Sequence, residues 1–432
     1  MGPQPEVVIV GAGFGGLAAG RALAAAPVGV TILDAHNYHT FQPLLYQVAT
    51  AGLGPDDIAQ AVRGIFQRHP RVRFRLGRAC GIDLGSRRLR LDGGGALPYD
   101  FLVIAAGATT AYPPVPGVEE HALAVKTLEE AVRLRSHVLA RFEQAAACPA
   151  LVDEGILTVV IVGGGTTGVE LAGAMSELFS MVLARDFTHL DVGRAKVVLV
   201  EQTDRLLSTF GPRSRAAALL ALRAKGVEVR LNTSVERATE RAVHLTGGEV
   251  VPTHTLVWCA GIRASPLADA LGLPQGGAGR VVVEADLSVA GHPEVFVVGD
   301  MAAATDPDGD LYPQVAPVAI QQARHAAAQI LRRRQGQATE RFRYRDKGTM
   351  ATIGRHAAVA ELPFGLRFRG AVAWVLWLGL HLIQLIGFRN RLQVLLDWSW
   401  NYLTYDRASR LILGPDGPDG PDGTRGRGGQ VR

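Results

Sequence analysis

The chain has 432 residues, too many for one ordinary hydrophobic core, and roughly 150 residues per domain divides it into two or three units. With 48% hydrophobic residues, 51 glycines and only 20% charged, the composition excludes a disordered chain or a coiled coil and suits an α/β protein dense in tight turns. Cys80, Cys148 and Cys259 are widely spaced with no CxxC pair, which argues against a disulfide framework or zinc site, and the net charge of +5 lacks the basic, aromatic-interleaved run of a nucleic-acid binder.

No basic segment precedes a long apolar stretch at the N-terminus, so export is not expected, and Glu6 stands where a myristoylation motif wants Ser or Thr. Val7 to Val10 read as a short buried strand, followed by the turn Gly11-Ala12-Gly13-Phe14-Gly15-Gly16, a helix, and a second strand ending at Asp34. This is a complete dinucleotide fingerprint. Gly11 allows the tight turn, Gly13 lets backbone approach a pyrophosphate, Gly16 permits close helix-strand packing, and the helix N-terminus attracts the anion. Asp34, 23 residues after Gly11, can accept from a ribose hydroxyl. Further along, Leu89 to Asp92, Gly93-Gly94-Gly95 and Tyr99 to Gly107 form a hairpin and a buried strand ending in Ala-Gly.

Tyr112 to Gly117 is a Pro-rich linker, and Thr127 with Glu130 makes a capping box that opens a helix carrying Arg133, Arg135 and Arg141 on an expected solvated face. The first pattern then repeats. Val159 to Val162 lead into Gly163-Gly164-Gly165-Thr166-Thr167-Gly168, and Val197 to Val200 end at Glu201. A hairpin through Gly247-Gly248 and a strand ending at Gly261 complete the copy. The offset is 152 residues from Gly11 to Gly163 and 154 from Gly107 to Gly261, so two nucleotides are expected. Glu294 to Asp300 read as a strand returning to the first domain.

The predicted fold class is therefore α/β, with two Rossmann-like dinucleotide-binding domains in a glutathione-reductase-like architecture and a C-terminal amphipathic helical membrane-attachment region. The expected divisions are 1–117 and 289–360 for the first nucleotide, 118–288 for the second, 361–413 as a C-terminal helical region, and 414–432 as a disordered tail.

Several stretches resemble type II NADH dehydrogenase, the single-subunit, non-pumping NADH:quinone oxidoreductase of the two-dinucleotide-binding flavoprotein superfamily. They are Asn37 to Ala49, Gly168 to Gly173, Trp258 to Ile262, Ala316 to Gln322 and Gly387 to Arg391. A dithiol-disulfide reductase would need a redox cysteine pair, and a sulfide:quinone oxidoreductase a late cysteine; neither is present. The resemblance implies non-covalent FAD on Gly11, Gly13, Gly16 and Asp34, with Asp300 at the ribityl chain and the Ala316-Pro317 backbone beside the flavin ring. It implies NADH on Gly163, Gly165, Gly168, Glu201 and Gly261. The same resemblance implies FAD for 1–117 and 289–360, NADH for 118–288, and membrane anchoring and dimerisation for 361–413. Glu201 can accept from the adenosine ribose while repelling the 2′-phosphate of NADPH, so NADH is expected.

Glu170, in the first turn of the second nucleotide helix, is favoured there by the helix dipole whatever its role, and the resemblance puts it near nicotinamide and flavin, to orient the carboxamide or to take part in proton movement to quinone. Where the family often carries Ala-Gln this chain has Ala316-Pro317, so a quinone carbonyl must find another donor, for which Gln321 is the candidate. His36 and His39 lack further ligands, and no metal is expected.

Residues 371 to 388 are nearly continuous apolar, interrupted by His381 and Gln384. After them Leu392, Leu395, Leu396, Ser399 and Leu403 share a helical face beside Trp398 and Trp400. Four of five tryptophans fall between 374 and 400, and six arginines against three acids lie between Glu361 and Leu411. These features point to monotopic attachment at the cytoplasmic face of the membrane rather than a span, and the family resemblance implies that the same region also serves a homodimer. Two other functions fit the sequence less fully: a soluble NAD(P)H-dependent reductase of a protein such as ferredoxin, and a slow, nucleotide-gated membrane-binding sensor.

Overall fold

The structure, a computed structural model, describes residues 4–404, 407 and 409–413. The chain forms two units. One comprises Met1–Thr40, Ala59–Thr109 and Ile262–Lys347, the other Phe41–Ile58, Thr110–Gly261 and Gly348–Arg432. The 414–432 tail, expected to be disordered, lies outside the described residues.

In the first unit, strands Ser288–Val289, His292–Val297, Phe101–Ile104, Glu6–Val10, Gly29–Asp34 and Val72–Leu76 lie side by side in that order. Val8 pairs in parallel with Thr31 on one side and Leu102 on the other. Such central strands are covered on both faces, which is why their sequences are unbroken apolar runs without alternation. His292–Val297 joins in parallel beside Phe101–Ile104 and delivers Gly299 and Asp300 to its C-terminal end.

The second unit repeats the plan with the parallel order Ala122–Ala124, Thr255–Trp258, Thr158–Val162, Lys196–Val200 and Glu228–Arg230. The capping box is present, with Thr127 Oγ1 accepting from Glu130 N and Glu130 capping Thr127 N. Arg133 is exposed as expected, but Arg135 is not: it is 2% exposed, because it falls on the inner stripe with Leu134 and Val138. A second addition follows. Thr349–Gly354, Ala357–Glu361 and Arg367–Arg369 form an antiparallel sheet, succeeded by the helices Gly370–Gln384 and Phe388–Thr404.

These two helices divide their side chains sharply. Val375, Ile383, Leu396, Trp400 and Leu403 are exposed, whereas Trp377 and Trp398 are 1% and 4% exposed. Two of the tryptophans expected at a membrane interface thus point inward. Gly370–Gln384 has 15 residues, below the length of a span. Among the described residues only the stretch Thr166–Asp186 is long and apolar enough to cross a bilayer, and most of it is buried within the protein.

The two glycine turns obey the same steric rule. Gly11 and Gly163 adopt φ of +100° and +111°, which a side chain would strain. A Cβ on Gly16 would lie 1.7 Å from Gly11 O, and one on Gly168 would lie 1.9 Å from Gly163 O. Gly13 has nothing within 4 Å of such an atom. Gly16→Ala and Gly168→Ala are therefore expected to cost at least ~1–3 kcal/mol and to lower the thermal midpoint, while Gly13→Ala leaves it near wild type. Thermal unfolding of the three variants checks this ordering.

Candidate active site

Each glycine turn is fastened by the acid at the end of the neighbouring strand. Asp34 Oδ2 accepts from Ala12 N at 2.6 Å, and Glu201 Oε2 accepts from Gly164 N at 2.6 Å. The second oxygens are held too, Asp34 Oδ1 by His36 N at 2.7 Å and Glu201 Oε1 by Thr203 N and Oγ1 at 2.8 Å. Both helices begin at a glycine with no side-chain cap, so their first-turn N–H groups face outward over an open middle glycine. In the first unit His39 is 2% exposed, with Nδ1 2.9 Å from Ala12 O and Nε2 buried without a protein partner. Burial lowers its pKa to about 4, so the ring is neutral and Nε2 is an acceptor. An open cradle, uncapped helix N–H groups, a ribose-type acid and a spare acceptor fit a bound dinucleotide such as FAD.

The remaining predicted residues of the first unit gather beside that turn. A Cβ on Gly15 would lie 3.5 Å from Val298 Cγ2 and 3.7 Å from Ala319 O, so the fingerprint helix packs on the helix Ala316–Arg334. Asp300 O accepts from Gln314 Nε2 at 2.9 Å, and Gly299 N donates to Gln322 Oε1 at 2.6 Å. Pro317 occupies the first turn of its helix, where no intrahelical N–H bond is required and its fixed φ suits the start. The Gln321 amide is engaged on both sides, donating to Arg345 O at 2.9 Å and accepting from Arg345 N at 3.0 Å. In the second unit Gly261, at φ +95°, closes the strand whose Cys259 backbone abuts Gly163.

Glu170 lies away from solvent, 8% exposed, and Oε1 accepts from Thr352 N at 3.2 Å. Burial raises its pKa to about 8, opposed by the Thr352 N–H and the nearby Trp377 indole. Trp377 Nε1 itself is buried beyond hydrogen-bond reach of any protein group. Two helical turns on, Glu177 accepts from Lys225 Nζ and from Arg355 N, both at 2.6 Å, with Arg407 Nη2 3.8 Å away. Sequence reasoning did not single out Glu177. Its signal was an acid seven residues after Glu170 in an otherwise apolar helix, hence on the same face.

One strand serves both acids, since Thr352 and Arg355 bound the end of Thr349–Gly354. Gly173 makes this approach possible: a Cβ there would lie 2.0 Å from Ile353 O. After Glu177 the helix opens into a π-turn, Leu178–Leu183. A cavity of about 70 Å³ sits here, walled in part by Tyr46, Glu177, Thr352, Trp377, Tyr402 and Arg407. All three cysteines are free.

Residues 5–323 match the family Pyridine nucleotide-disulphide oxidoreductase, and residues 347–405 match the NDH2 C-terminal domain. Two type II NADH:quinone oxidoreductases of Mycobacterium tuberculosis, NdhA and Ndh, are 38% and 37% identical to the chain. Each alignment covers 95% of this chain, and 90% and 93% of the relatives. The chain belongs to the type II NADH:quinone oxidoreductase family. A solved structure of NDH2 from Plasmodium falciparum in complex with NADH superposes with a TM-score of 0.86 at 18% identity, covering 95% of this chain and 100% of that one. That likeness establishes the shared fold. In this chain the three thiols are unpaired, so no cysteine pair of the kind the broader family name suggests is formed.

The Glu170 carboxyl has a consequence for stability. Its folded pKa, about 8, exceeds its ordinary value of 4.5, so its contribution is fully present below pH 4.5 and is lost as pH rises through 8. Glu170→Gln is expected to flatten the fall of the thermal midpoint between pH 5 and about 8. Unfolding scans across that range compare the two slopes; equal slopes would show that Glu170 does not titrate there.

Proposed function

We propose that the second unit holds NADH, the first holds FAD, and Glu170 supplies a proton to the quinone that receives the electrons. The enzyme oxidises NADH with FAD and reduces a quinone, as its relatives over 95% of the chain do by name. Overall, NADH, one proton and quinone become NAD+ and quinol, without proton pumping. The observation that carries the assignment is the duplicated glycine turn with its acid latch, present once in each unit.

FAD, when bound, accepts hydride from NADH and relays two electrons to quinone. The protein contributes binding, orientation and a proton. In the first unit, Gly11, Gly13 and Gly16 form the pyrophosphate turn, Asp34 faces a ribose, Asp300 the ribityl chain, and Ala316-Pro317 the ring. In the second, Gly163, Gly165, Gly168 and Gly261 play the matching parts for NADH. Glu201 has its oxygens directed at Gly164 and Thr203, and its negative charge at that place disfavours a 2′-phosphate. Glu170, with a pKa of about 8, is protonated at neutral pH and so holds the proton that quinone reduction needs. Gln321 reaches a quinone carbonyl by exchanging its exposed bonds to Arg345.

The exposed apolar row from Val372 to Leu403 supports attachment to one leaflet, with lipid taking the place of water on side chains such as Ile383, Leu396 and Leu403. We assign the cytoplasmic leaflet, where anionic headgroups meet the arginine excess of this region, and a homodimer as the working assembly.

Stopped-flow absorbance tests the central reading. NADH is expected to bleach the bound flavin, and a short-chain ubiquinone or menaquinone analogue to restore its colour rapidly; bleaching with no quinone-driven return, but with return on adding a ferredoxin, would replace it with a reductase of a protein acceptor. For the membrane, the triple variant Ile383→Glu, Leu396→Glu, Leu403→Glu is expected to keep its thermal midpoint yet stay in the supernatant with anionic vesicles. Sedimentation equal to wild type would place the lipid contact elsewhere.

A further inference from the structure

The cavity beside the π-turn sets several polar groups into a largely apolar wall. Tyr46 and Tyr402 hydroxyls, Glu177, Arg355 and Arg407 contribute to its wall, and at about 70 Å³ it has room for several waters at roughly 10–15 Å³ each. Three of its inner lining residues belong to the surroundings of Glu170: Thr352 donates to its carboxyl, Tyr46 feels its charge, and the Trp377 indole N–H lies near enough to lower its pKa while making no full hydrogen bond to any protein group. A buried donor left short of a full bond, on a cavity wall that also carries hydroxyl and carboxyl groups, is a place for water. The Tyr46 oxygen accepts from Gln47 Nε2 at 2.8 Å, and Gln47 Oε1 accepts from Trp398 Nε1 at 2.7 Å, which leaves the tyrosine proton to be donated elsewhere. At the outer end Glu177 meets Lys225 Nζ at 2.6 Å, and the lysine side chain is 17% exposed.

We propose that this cavity holds a water chain that re-protonates Glu170 from solvent, entering by way of Lys225 and Glu177. The proposal rests on the reading of Glu170 as proton donor to quinone. When the Glu170 O–H bond breaks and its proton leaves with the two electrons for quinone, the carboxylate takes a proton from the innermost water. That water is restored by the next, and the last through Glu177, whose carboxylate takes a proton from the Lys225 ammonium and passes it on, after which the lysine is re-protonated from bulk. One proton moves inward per quinol formed, and no electron moves with it. The charged and titratable groups around the path are Tyr46, Glu177, Lys225, Arg355, Tyr402, Arg407 and, stacked on Trp377 at 4.0 Å, His381. Glu177 is a positioning residue here, acting on quinone only through Glu170.

Two variants separate this role from a structural one. Glu177→Gln removes the proton-carrying group; Ala174→Leu fills the cavity from the same helix and leaves the Glu177 carboxylate in place. In stopped-flow on the flavin-loaded enzyme, both are expected to leave bleaching by NADH at its wild-type rate and to slow quinone-driven return about ten-fold or more. The slow step should carry an enlarged solvent deuterium isotope effect, and in Glu177→Gln added imidazole should restore the rate. Return at the wild-type rate in Ala174→Leu would overturn the proposal, and would do so even if Glu177→Gln failed to fold. So would a rise in the KM for quinone at unchanged kcat, which would make the cavity the quinone's own. A slowing with no isotope effect and no imidazole rescue would also overturn it, as a structural effect. Wild-type enzyme that quinone cannot re-oxidise would instead sink the underlying reading of function.

Discussion

Burying two carboxylates on one face of an apolar helix is costly unless backbone donors reach them, and a single strand supplies those donors here. Thr352 N meets Glu170 and Arg355 N meets Glu177, so the strand Thr349–Gly354 lies along the nucleotide helix with its register set by two carboxyl groups as well as by apolar packing. The close approach depends on Gly173, since any side chain there would collide with Ile353 O. The C-terminal addition is thus joined to the chemistry at its first strand. Glu177 can bear a charge because Lys225 and Arg407 accompany it; Glu170, given one backbone N–H and an indole, is left to raise its pKa instead. Position along the same strand decides which acid is ion-paired and which carries a proton.

The nucleotide turns show a second economy. Asp34 and Glu201 each give one oxygen to the N–H of the residue after the first glycine, so the acid proposed to read a ribose also holds the turn proposed to admit the pyrophosphate. Specificity and loop geometry are therefore coupled in both halves. Replacing Glu201 would alter the charge seen by a 2′-phosphate and loosen Gly164 at the same time, and a change in affinity for both nucleotides would accompany any change in their ratio.

Much of this was legible in the sequence because the signals were local. The two fingerprints, the acids, the capping box at Thr127 and the Gly-Asp strand are each defined within about thirty residues, and the near-constant offset of the copies made them one pattern rather than several coincidences. What sequence reading missed depends on partners far along the chain. Arg135 looked like part of a charged face, yet its helical phase puts it inside with Leu134 and Val138. Trp377 and Trp398 looked like interfacial anchors by composition, but only the fold distinguishes them from Trp400, which is exposed. Pro317 looked like a lost donor; as a first-turn residue it asks nothing of the backbone, and the amide that follows at Gln321 is taken by Arg345, 24 residues away. Glu177 could not be valued without Lys225 and Arg355.

The helix Gly370–Gln384 bears both side chains proposed to meet lipid and an indole beside Glu170, and this limits how the two proposed roles can be separated. Its outer side chains, Val375 and Ile383 among them, are those assigned to lipid, while Trp377 on its inner side is the indole beside Glu170. Removing the helix to detach the enzyme would also open Glu170 to water, and the loss of desolvation would return its pKa toward the ordinary carboxylate range. A truncated enzyme would then be ionised at Glu170 at neutral pH and deficient in proton supply even toward a water-soluble quinone. Activity lost on truncation consequently says nothing by itself about whether quinone must arrive through the membrane, whereas substitutions confined to the outer row bear on that question alone.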